Sequence, residues 1–228
     1  LGASDTPPVR AGRNTVGVIA VFADRHDAGR QLAEALRGRV GAGALVMGVP
    51  RGGVVVAAEV ARALGLELDV VIVRKIGAPG NPEYAIGAID EDGRLIGAGT
   101  SFADETFLRR AAEEGRAEIG RRLTAYRGDR PQPRIAGREV LLVDDGIATG
   151  FTLRAAVESV RHRGAARVVV AAPVAAPESA REMRDIADDV IVLAEPERFY
   201  AVGQFYARFD QTADSEVVRL LTDAWERG

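Results

Sequence analysis

Two adjacent acids, Asp144 and Asp145, follow an apolar run at residues 140–143. The loop after them is built mainly of small and hydroxyl residues: Ala148, Thr149, Gly150, Phe151 and Thr152. The backbone N–H groups of such a loop, at the start of a helical pattern, are suited to bind a phosphate. Two carboxylates cannot bind a phosphate, but they accept hydrogen bonds from a sugar diol. Residues 140–152 therefore predict a ribose 5-phosphate site, with acids that only cap a helix as the alternative interpretation.

A second candidate anion site consists of Arg51, Gly52 and Gly53, which follow another apolar run and open a helical pattern. A glycine-rich turn at a helix start exposes N–H groups, and the guanidinium adds a charge suited to phosphate oxygens. The residues alone leave a second interpretation open, in which glycine is needed only for the backbone angles of a tight turn.

A pair of cations, Arg74 and Lys75, directly follows the apolar residues of the run at 68–73. If this run is a parallel strand that the pair closes, both cations lie at the ligand-binding edge of the sheet. A solvated strand end is the alternative.

Residues 77–84 come next and contain two glycines and two prolines. This composition favours a loop that closes over a substrate, so we expect a mobile lid there.

Apolar runs alternate with helical patterns along the chain. This order predicts an α/β fold with a mostly parallel central sheet and helices on both faces. Strands are predicted at residues 44–48, 68–73, 139–143, 167–172 and 189–194. Helices are predicted at residues 54–64, 152–163, 177–186 and 214–225.

An insertion at about residues 76–130 interrupts this alternation. Its pattern predicts a β-hairpin at residues 84–96, which turns at Asp92 and Gly93, and a charged helix at residues 103–126. Residues 1–15 are rich in glycine, proline and small polar types, and we expect a flexible tail. Residues 16–228 are expected to form one domain, with a small C-terminal hood at about residues 196–228.

The composition narrows the possible functions. The 228 residues include no cysteine, which excludes disulfides and cysteine metal sites and favours a cytoplasmic location. The formal net charge of −3 argues against a nucleic-acid partner. No run of about 18 apolar residues is present, so no membrane span is expected.

The motifs together resemble the type I phosphoribosyltransferase family. Residues 140–152 are similar to its signature for 5-phosphoribosyl 1-pyrophosphate (PRPP), and the end of this string is most similar to adenine phosphoribosyltransferase. The turn at Arg51 and the Arg74–Lys75 pair resemble groups that bind pyrophosphate in that family. The resemblance covers about residues 44–194. More loosely, Phe22-x-Asp24-Arg25 and the aromatic C-terminal stretch resemble a group of bacterial predicted phosphoribosyltransferases.

Two positions depart from the family patterns. Gly146 stands where the family usually has a bulkier aliphatic residue, so we expect a looser loop. Ala148 stands where hypoxanthine-guanine enzymes have an aspartate that serves the purine base, which disfavours that substrate class.

The resemblance implies displacement of pyrophosphate from C1 of PRPP by a nitrogenous acceptor such as a nucleobase, a reaction of nucleotide metabolism. It implies that Asp144, Asp145, Arg74 and Lys75 are catalytic. Arg51, Gly52 and Gly53 would join the cation pair in binding pyrophosphate. The implied cofactor is Mg²⁺, held mainly by PRPP and water with no direct protein ligand. The implied partners are PRPP and a small acceptor, with a possible homodimer.

Other interpretations remain open at this point. Four aromatic residues are candidates for an acceptor-stacking surface, although core packing or a dimer contact explains them equally well: Phe199, Tyr200, Phe205 and Tyr206. The same fold could serve a non-catalytic PRPP sensor, which a basic face opposite the site would indicate. The fold could also serve a hydrolase of phosphorylated sugars. The chain itself could be one module of a longer protein.

Overall fold

The computed structural model describes residues 21–97 and 103–227. The predicted tail at residues 1–15 lies outside the described residues. The described strands, in chain order, are β1 (Leu45–Gly48), β2 (Glu67–Val70), β3 (Arg74–Ala78), β4 (Asn81–Ile89), β5 (Leu95–Ile96), β6 (Glu139–Val143), β7 (Arg167–Val174) and β8 (Asp189–Ala194). The described α-helices are α1 (Arg25–Leu36), α2 (Gly52–Leu64), α3 (Glu105–Arg127), α4 (Phe151–His162), α5 (Pro177–Ile186) and α6 (Asp214–Trp225).

The centre of the fold is a parallel sheet with the strand order β2-β1-β6-β7-β8. Its strands are apolar on both faces because helices cover both. Val46 and Leu141 point towards α1, α2 and α6, whereas Leu45 and Leu142 point towards α4 and α5. The predicted α/β class, with a parallel sheet between helices, is confirmed.

The insertion forms a second, antiparallel sheet in the order β3-β4-β5, followed by α3. The predicted turn at Asp92 and Gly93 is confirmed, and Gly93 adopts a φ of 77° there. The segment predicted as a loop at residues 77–84 is instead part of the β3–β4 hairpin, which turns at Gly80 with a φ of 75°.

The second strand is shorter than predicted. β2 ends at Val70, and residues 71–73 pass from the central sheet to the hairpin. Arg74 and Lys75 therefore begin β3 and do not close β2, which corrects the prediction. The apolar run was misleading because Val71 and Ile72 are buried without pairing in a strand.

Helix α6 closes the open edge of the central sheet. The indole Nε1 of Trp225 donates to the backbone oxygen of Leu68 at 2.9 Å, and Val217 and Leu221 are buried in the core. This contact uses a backbone acceptor that an edge strand would otherwise expose. Of the helices in the described part of the chain, none has the length and apolar character needed to cross a membrane.

Candidate active site

A cleft of about 480 Å³ lies at the carboxyl ends of β1 and β6. These strands are neighbours, and the N–H of Val49 donates to the oxygen of Val143 at 2.9 Å just beyond them. Residues 49–52, residues 144–145 with Thr152, residues 209–212 and Arg25 line the cleft. The ends of parallel strands are the usual ligand-binding edge of an open α/β sheet. Two of the predicted anion-binding segments therefore meet there.

The loop after β6 surrounds a smaller hollow of about 140 Å³, lined by residues 146–153 and Asp144. The loop is anchored from below, because the N–H of Ile147 donates to Val174 and the hydroxyl of Ser179 donates to the oxygen of Ala148. Gly150 precedes α4 with a φ of 70°, a conformation that favours glycine. The first N–H groups of α4 have no intrahelical acceptor and point to the helix start. The hollow therefore has the form of an anion site.

Thr149 and Thr152 are exposed around this hollow, as is Ala148. Gly150 is buried, and a Cβ on it would lie 3.2 Å from the terminal methyl of Met183. Phe151 is half-buried. The structure thus gathers all five predicted phosphate-loop residues at one hollow, with both hydroxyl-bearing members accessible.

The two acids are held by different partners. Oδ1 of Asp144 accepts from the N–H of Asp145 at 2.8 Å, whereas Oδ2 of Asp145 accepts from Nε of Arg25 at 2.6 Å. Burial, and then the neighbouring charge of Asp145, raise the pKa of Asp144 well above its usual range. Burial also raises the pKa of Asp145, although Arg25 opposes the shift. The pair is a fixed set of oxygen acceptors at the cleft wall.

The glycines after β1 are required by close approach. A Cβ on Gly52 would lie 1.9 Å from Oδ2 of Asp145, and one on Gly53 would lie 2.8 Å from the oxygen of Val143. Neither glycine has a positive φ, so backbone angles alone do not explain them. The peptide bond between Pro50 and Arg51 is cis. The close approach of Gly52 and Gly53 places the start of α2 directly against the acid pair.

Arg51 lines the cleft and is partly exposed. Its NH1 lies 3.9 Å from Oδ1 of Asp214, the first residue of α6. The same carboxylate accepts from the hydroxyl of Tyr126 at 2.6 Å. Burial and then this hydrogen bond raise the pKa of Tyr126 to about 12, so it stays protonated.

The structure does not bring Arg74 and Lys75 into this cleft. Both are exposed at the start of β3, and neither lines the cleft or the smaller hollow. They lie at the base of the β3–β4 hairpin, where Arg74 pairs with Ile89 and Lys75 with Ala88. In this structure the cation pair therefore stands outside both the cleft and the smaller hollow.

The aromatic candidates separate into buried and exposed residues. Phe205 and Tyr206 are buried, with Phe199 packed 5.2 Å from the Phe205 ring, whereas Tyr200 is 83% exposed. Core packing therefore explains Phe205 and Tyr206. Sequence reasoning did not single out Phe209, which lines the cleft. Its only signal was its place in an aromatic-rich stretch.

The hood also supports the loop after β6. The hydroxyl of Tyr206 donates to the backbone oxygen of Asp145 at 2.6 Å. A Cβ on Gly146 would lie 2.4 Å from Cγ1 of Val202, which belongs to the short 3₁₀ helix Val202–Phe205. The expectation that Gly146 leaves the loop loose is therefore corrected, because Val202 fills the space. Arg25 was also missed as a site residue, since 120 positions separate it from Asp145.

The comparisons with known proteins agree on one family. A family model described as "Phosphoribosyl transferase domain" matches residues 20–209. Relatives from two Mycobacterium tuberculosis strains, each named "Putative phosphoribosyl transferase", are 44% identical over 211 residues, which cover 90% of this chain and 47% of theirs. The chain thus spans about half the length of the curated relatives it matches.

A solved structure with substantial sequence identity supports the same assignment. The structure of the protein TT1426 from Thermus thermophilus is 47% identical and superposes with a TM-score of 0.80, covering 89% of this chain and 98% of that one. The match therefore covers most of this chain and nearly all of the other one. From its family match, its relatives and its fold, the chain belongs to the phosphoribosyl transferase domain family.

Proposed function

We propose that this chain transfers the phosphoribosyl group of PRPP to a nitrogenous acceptor, such as a nucleobase, and releases pyrophosphate. The observation that carries the proposal is the meeting of three segments at one sheet edge: the acid pair, the loop at residues 148–152 and the turn at residues 51–53. The family assignment supports the same reaction. The acceptor is left at this general class.

The arrangement suggests how PRPP would lie. Asp144 and Thr152 line both the cleft and the smaller hollow, so a ribose bound to the acids would lie between the cleft and the hollow. Its 5′-phosphate would enter the smaller hollow at the start of α4, and its C1 pyrophosphate would face the start of α2. Each phosphate group would then meet the positive end of a helix dipole.

The chemistry proposed is a displacement at C1. The acceptor nitrogen forms a bond to C1 while the C1–O bond breaks, pyrophosphate leaves with the electron pair, and the proton of the acceptor N–H passes to water. The transition state resembles a ribosyl oxocarbenium ion, as in glycoside cleavage. Arg51 and the N–H groups of Gly52 and Gly53 would stabilise the charge on the leaving group. The hydroxyls of the ribose would be oriented by Asp144 and Asp145.

A role for Arg74 and Lys75 is part of the proposal and depends on the hairpin. Both cations stand at its base, outside the cleft. A closing movement of the β3–β4 hairpin would bring positive charge towards the leaving pyrophosphate and keep water from C1.

Mg²⁺ is part of the proposal and would bind together with PRPP. Within residues 21–97 and 103–227, no group of three or more His, Cys, Asp or Glu side chains is arranged to hold a metal ion. Mg²⁺ takes oxygen ligands, keeps several waters and is often bound through substrate phosphates. We infer that PRPP and water would supply its ligands, and that the bound ion would neutralise part of the pyrophosphate charge.

Release of pyrophosphate tests the proposal. Wild-type protein is incubated with PRPP, Mg²⁺ and a panel of nucleobases and amines. We expect release that depends on one acceptor and that Asp144→Asn/Asp145→Asn abolishes. Asp188→Asn/Asp189→Asn is the matched control, because this second acid pair lies at the amino end of β8, whereas the cleft lies at the carboxyl ends of β1 and β6. Release without any acceptor would instead indicate a hydrolase, and PRPP binding without release would indicate a sensor.

A further inference from the structure

The side chain of Arg25 is fixed by three contacts at the edge of the cleft. Its Nε donates to Oδ2 of Asp145 at 2.6 Å, and its NH1 donates to the backbone oxygen of Asp210 at 2.7 Å. Its guanidinium carbon lies 3.8 Å from the centre of the Phe209 ring. The side chain is only 12% exposed, although it belongs to the first residue of a helix. The guanidinium is therefore held in one position by an acid, a backbone oxygen and an aromatic ring, whereas the head group of a surface arginine usually extends into water.

The residues just before Arg25 hold the same part of the hood through their backbone. The N–H of Phe22 donates to the oxygen of Phe205 at 3.0 Å, and the N–H of Ala207 donates back to Phe22 at 2.8 Å. The N–H of Arg208 donates to the oxygen of Ala23 at 2.9 Å. Residues 22–25 and 205–210 therefore form one clasp beside the acid pair.

The remaining members of the Phe22-x-Asp24-Arg25 motif have places in this clasp. The Phe22 ring packs 5.4 Å from the Tyr206 ring, and the Asp24 carboxylate pairs with Arg208. Asp24 also caps α1 by accepting from the N–H of Asp27 at 2.9 Å. The motif thus fixes the start of α1, and with it the position from which Arg25 reaches Asp145.

Arg25 connects the clasp to the candidate ribose site. Asp145 and Arg25 both lie against the start of α2, since a Cβ on Gly52 would lie 1.9 Å from Oδ2 of Asp145 and 2.6 Å from Nε of Arg25. Because the side chain of Asp145 is 15% exposed, its orientation depends on these neighbours. A charge-assisted hydrogen bond fixes both distance and direction.

We propose that Arg25 is a positioning residue, which orients Asp145 for the ribose hydroxyls and couples the order of residues 205–210 to PRPP binding. This inference rests on the proposed function. In this proposal Arg25 acts on the ribose through Asp145 and on the hood through the clasp. The orientation of Asp145 is measured through PRPP affinity, and the order of the clasp is measured through amide hydrogen exchange of its backbone.

The first test is a double-mutant cycle on PRPP affinity in the presence of Mg²⁺. We expect Arg25→Met to weaken binding roughly tenfold to a hundredfold, as loss of one charged hydrogen bond allows. Arg25→Lys should recover part of the affinity. In an Asp145→Asn background, Arg25→Met should change affinity less than about threefold, because the two residues act as one unit. Arg30→Met is the control on the same helix, where the side chain is 56% exposed, and it should bind as wild type.

The second test needs no substrate. Amide hydrogen exchange at Ala207 and Arg208 should be roughly tenfold faster in Arg25→Met and in Asp145→Asn, and unchanged in Arg30→Met. Equal affinity losses in the wild-type and Asp145→Asn backgrounds would overturn the inference, because Arg25 would then act independently of Asp145. Unchanged exchange in both variants would overturn the coupling to the clasp. Failure of the wild type to bind PRPP would refute the proposed function, while the exchange result would still decide the coupling.

Discussion

Gly52 lies against Asp145 so closely that a Cβ on Gly52 would stand 1.9 Å from Oδ2 of the carboxylate. The start of α2 and the end of β6 therefore touch with no room for a side chain between them. Because of this contact, the turn at residues 51–53, proposed to bind pyrophosphate, and the acids Asp144 and Asp145, proposed to bind ribose, form one continuous surface.

Gly52→Ala is expected to weaken PRPP binding more than about tenfold, because the new methyl group must displace Asp145 or the start of α2. The fold should survive, since Gly52 has no positive φ and begins a helix. Calorimetric titration measures the affinity, and circular dichroism checks the fold. Gly43→Ala is the matched control, because its Cβ would meet nothing within 4 Å. Equal affinity in the two variants would contradict the proposed contact.

The packing of Val202 against Gly146 predicts a compensating pair of substitutions. Gly146→Val should destabilise the protein by about 1–3 kcal/mol, because its Cβ would lie 2.4 Å from Cγ1 of Val202. Adding Val202→Ala should restore part of this loss by making room. Urea unfolding of the single and double variants measures both effects. A double variant no more stable than Gly146→Val would show that Val202 is not the obstacle.

Asp144→Asn is expected to raise the unfolding temperature at neutral pH while it impairs the site. The folded-state pKa of Asp144 is raised above 3.8, so the folded protein binds this proton more tightly than the unfolded chain. Stability contributed by this group therefore falls as pH rises from about 3.8 through the raised pKa. The amide keeps an oxygen for the N–H of Asp145. Thermal unfolding at about pH 8 and about pH 4 should give a gain that shrinks at the lower pH.

Asp188→Asn provides a control with the opposite sign. The hydrogen bond from the N–H of Val168, and to a smaller extent the charge of Arg161, lower the pKa of Asp188 below its usual value of 3.8, whereas burial opposes this shift. This group contributes stability that is fully present above about 3.8 and is lost as pH falls through the lowered pKa. Asp188→Asn should therefore lower the unfolding temperature at about pH 8. If both variants shift the unfolding temperature in the same direction, the account of the Asp144 environment is wrong.

Several elements could be predicted to the residue from the sequence. The bounds of β6, β8, α5 and α6 match: charged residues bound the apolar patterns of β6, β8 and α6, and a proline begins α5. The end of β2 could not be predicted, since Val71 and Ile72 continue the apolar run as buried connecting residues. An apolar run indicates that its residues are buried, but it does not show that they pair in a strand.

The local parts of the candidate site were also visible in the sequence, whereas its long-range contacts were not. Asp144, Asp145 and the loop after them form a continuous string with a recognisable order. The contact of Asp145 with Arg25 joins residues 120 positions apart, and no periodicity encodes it. The need for glycine at position 52 likewise arises only once two strand ends stand side by side.

A buried ion-pair network fastens the insertion to the central sheet. Arg127 bonds the carboxylates of Asp69 and Glu91 at 2.8 Å each, and these side chains are at most 3% exposed. Arg127→Met removes the cation that the two buried acids share and should cost about 3–5 kcal/mol in unfolding free energy. Arg121→Met, on the exposed face of α3, should cost less than about 1 kcal/mol. Urea unfolding compares them, and equal costs would contradict a structural role for this network.

The most direct test of the account is calorimetric titration of PRPP with Mg²⁺. Wild type and Asp188→Asn/Asp189→Asn should bind with micromolar affinity. Asp144→Asn/Asp145→Asn should bind at least about a hundredfold more weakly, because it lacks both charged acceptors for the ribose hydroxyls. Absence of PRPP binding by folded wild type, or equal binding by the Asp144→Asn/Asp145→Asn variant, would contradict the assignment of these acids to a PRPP site.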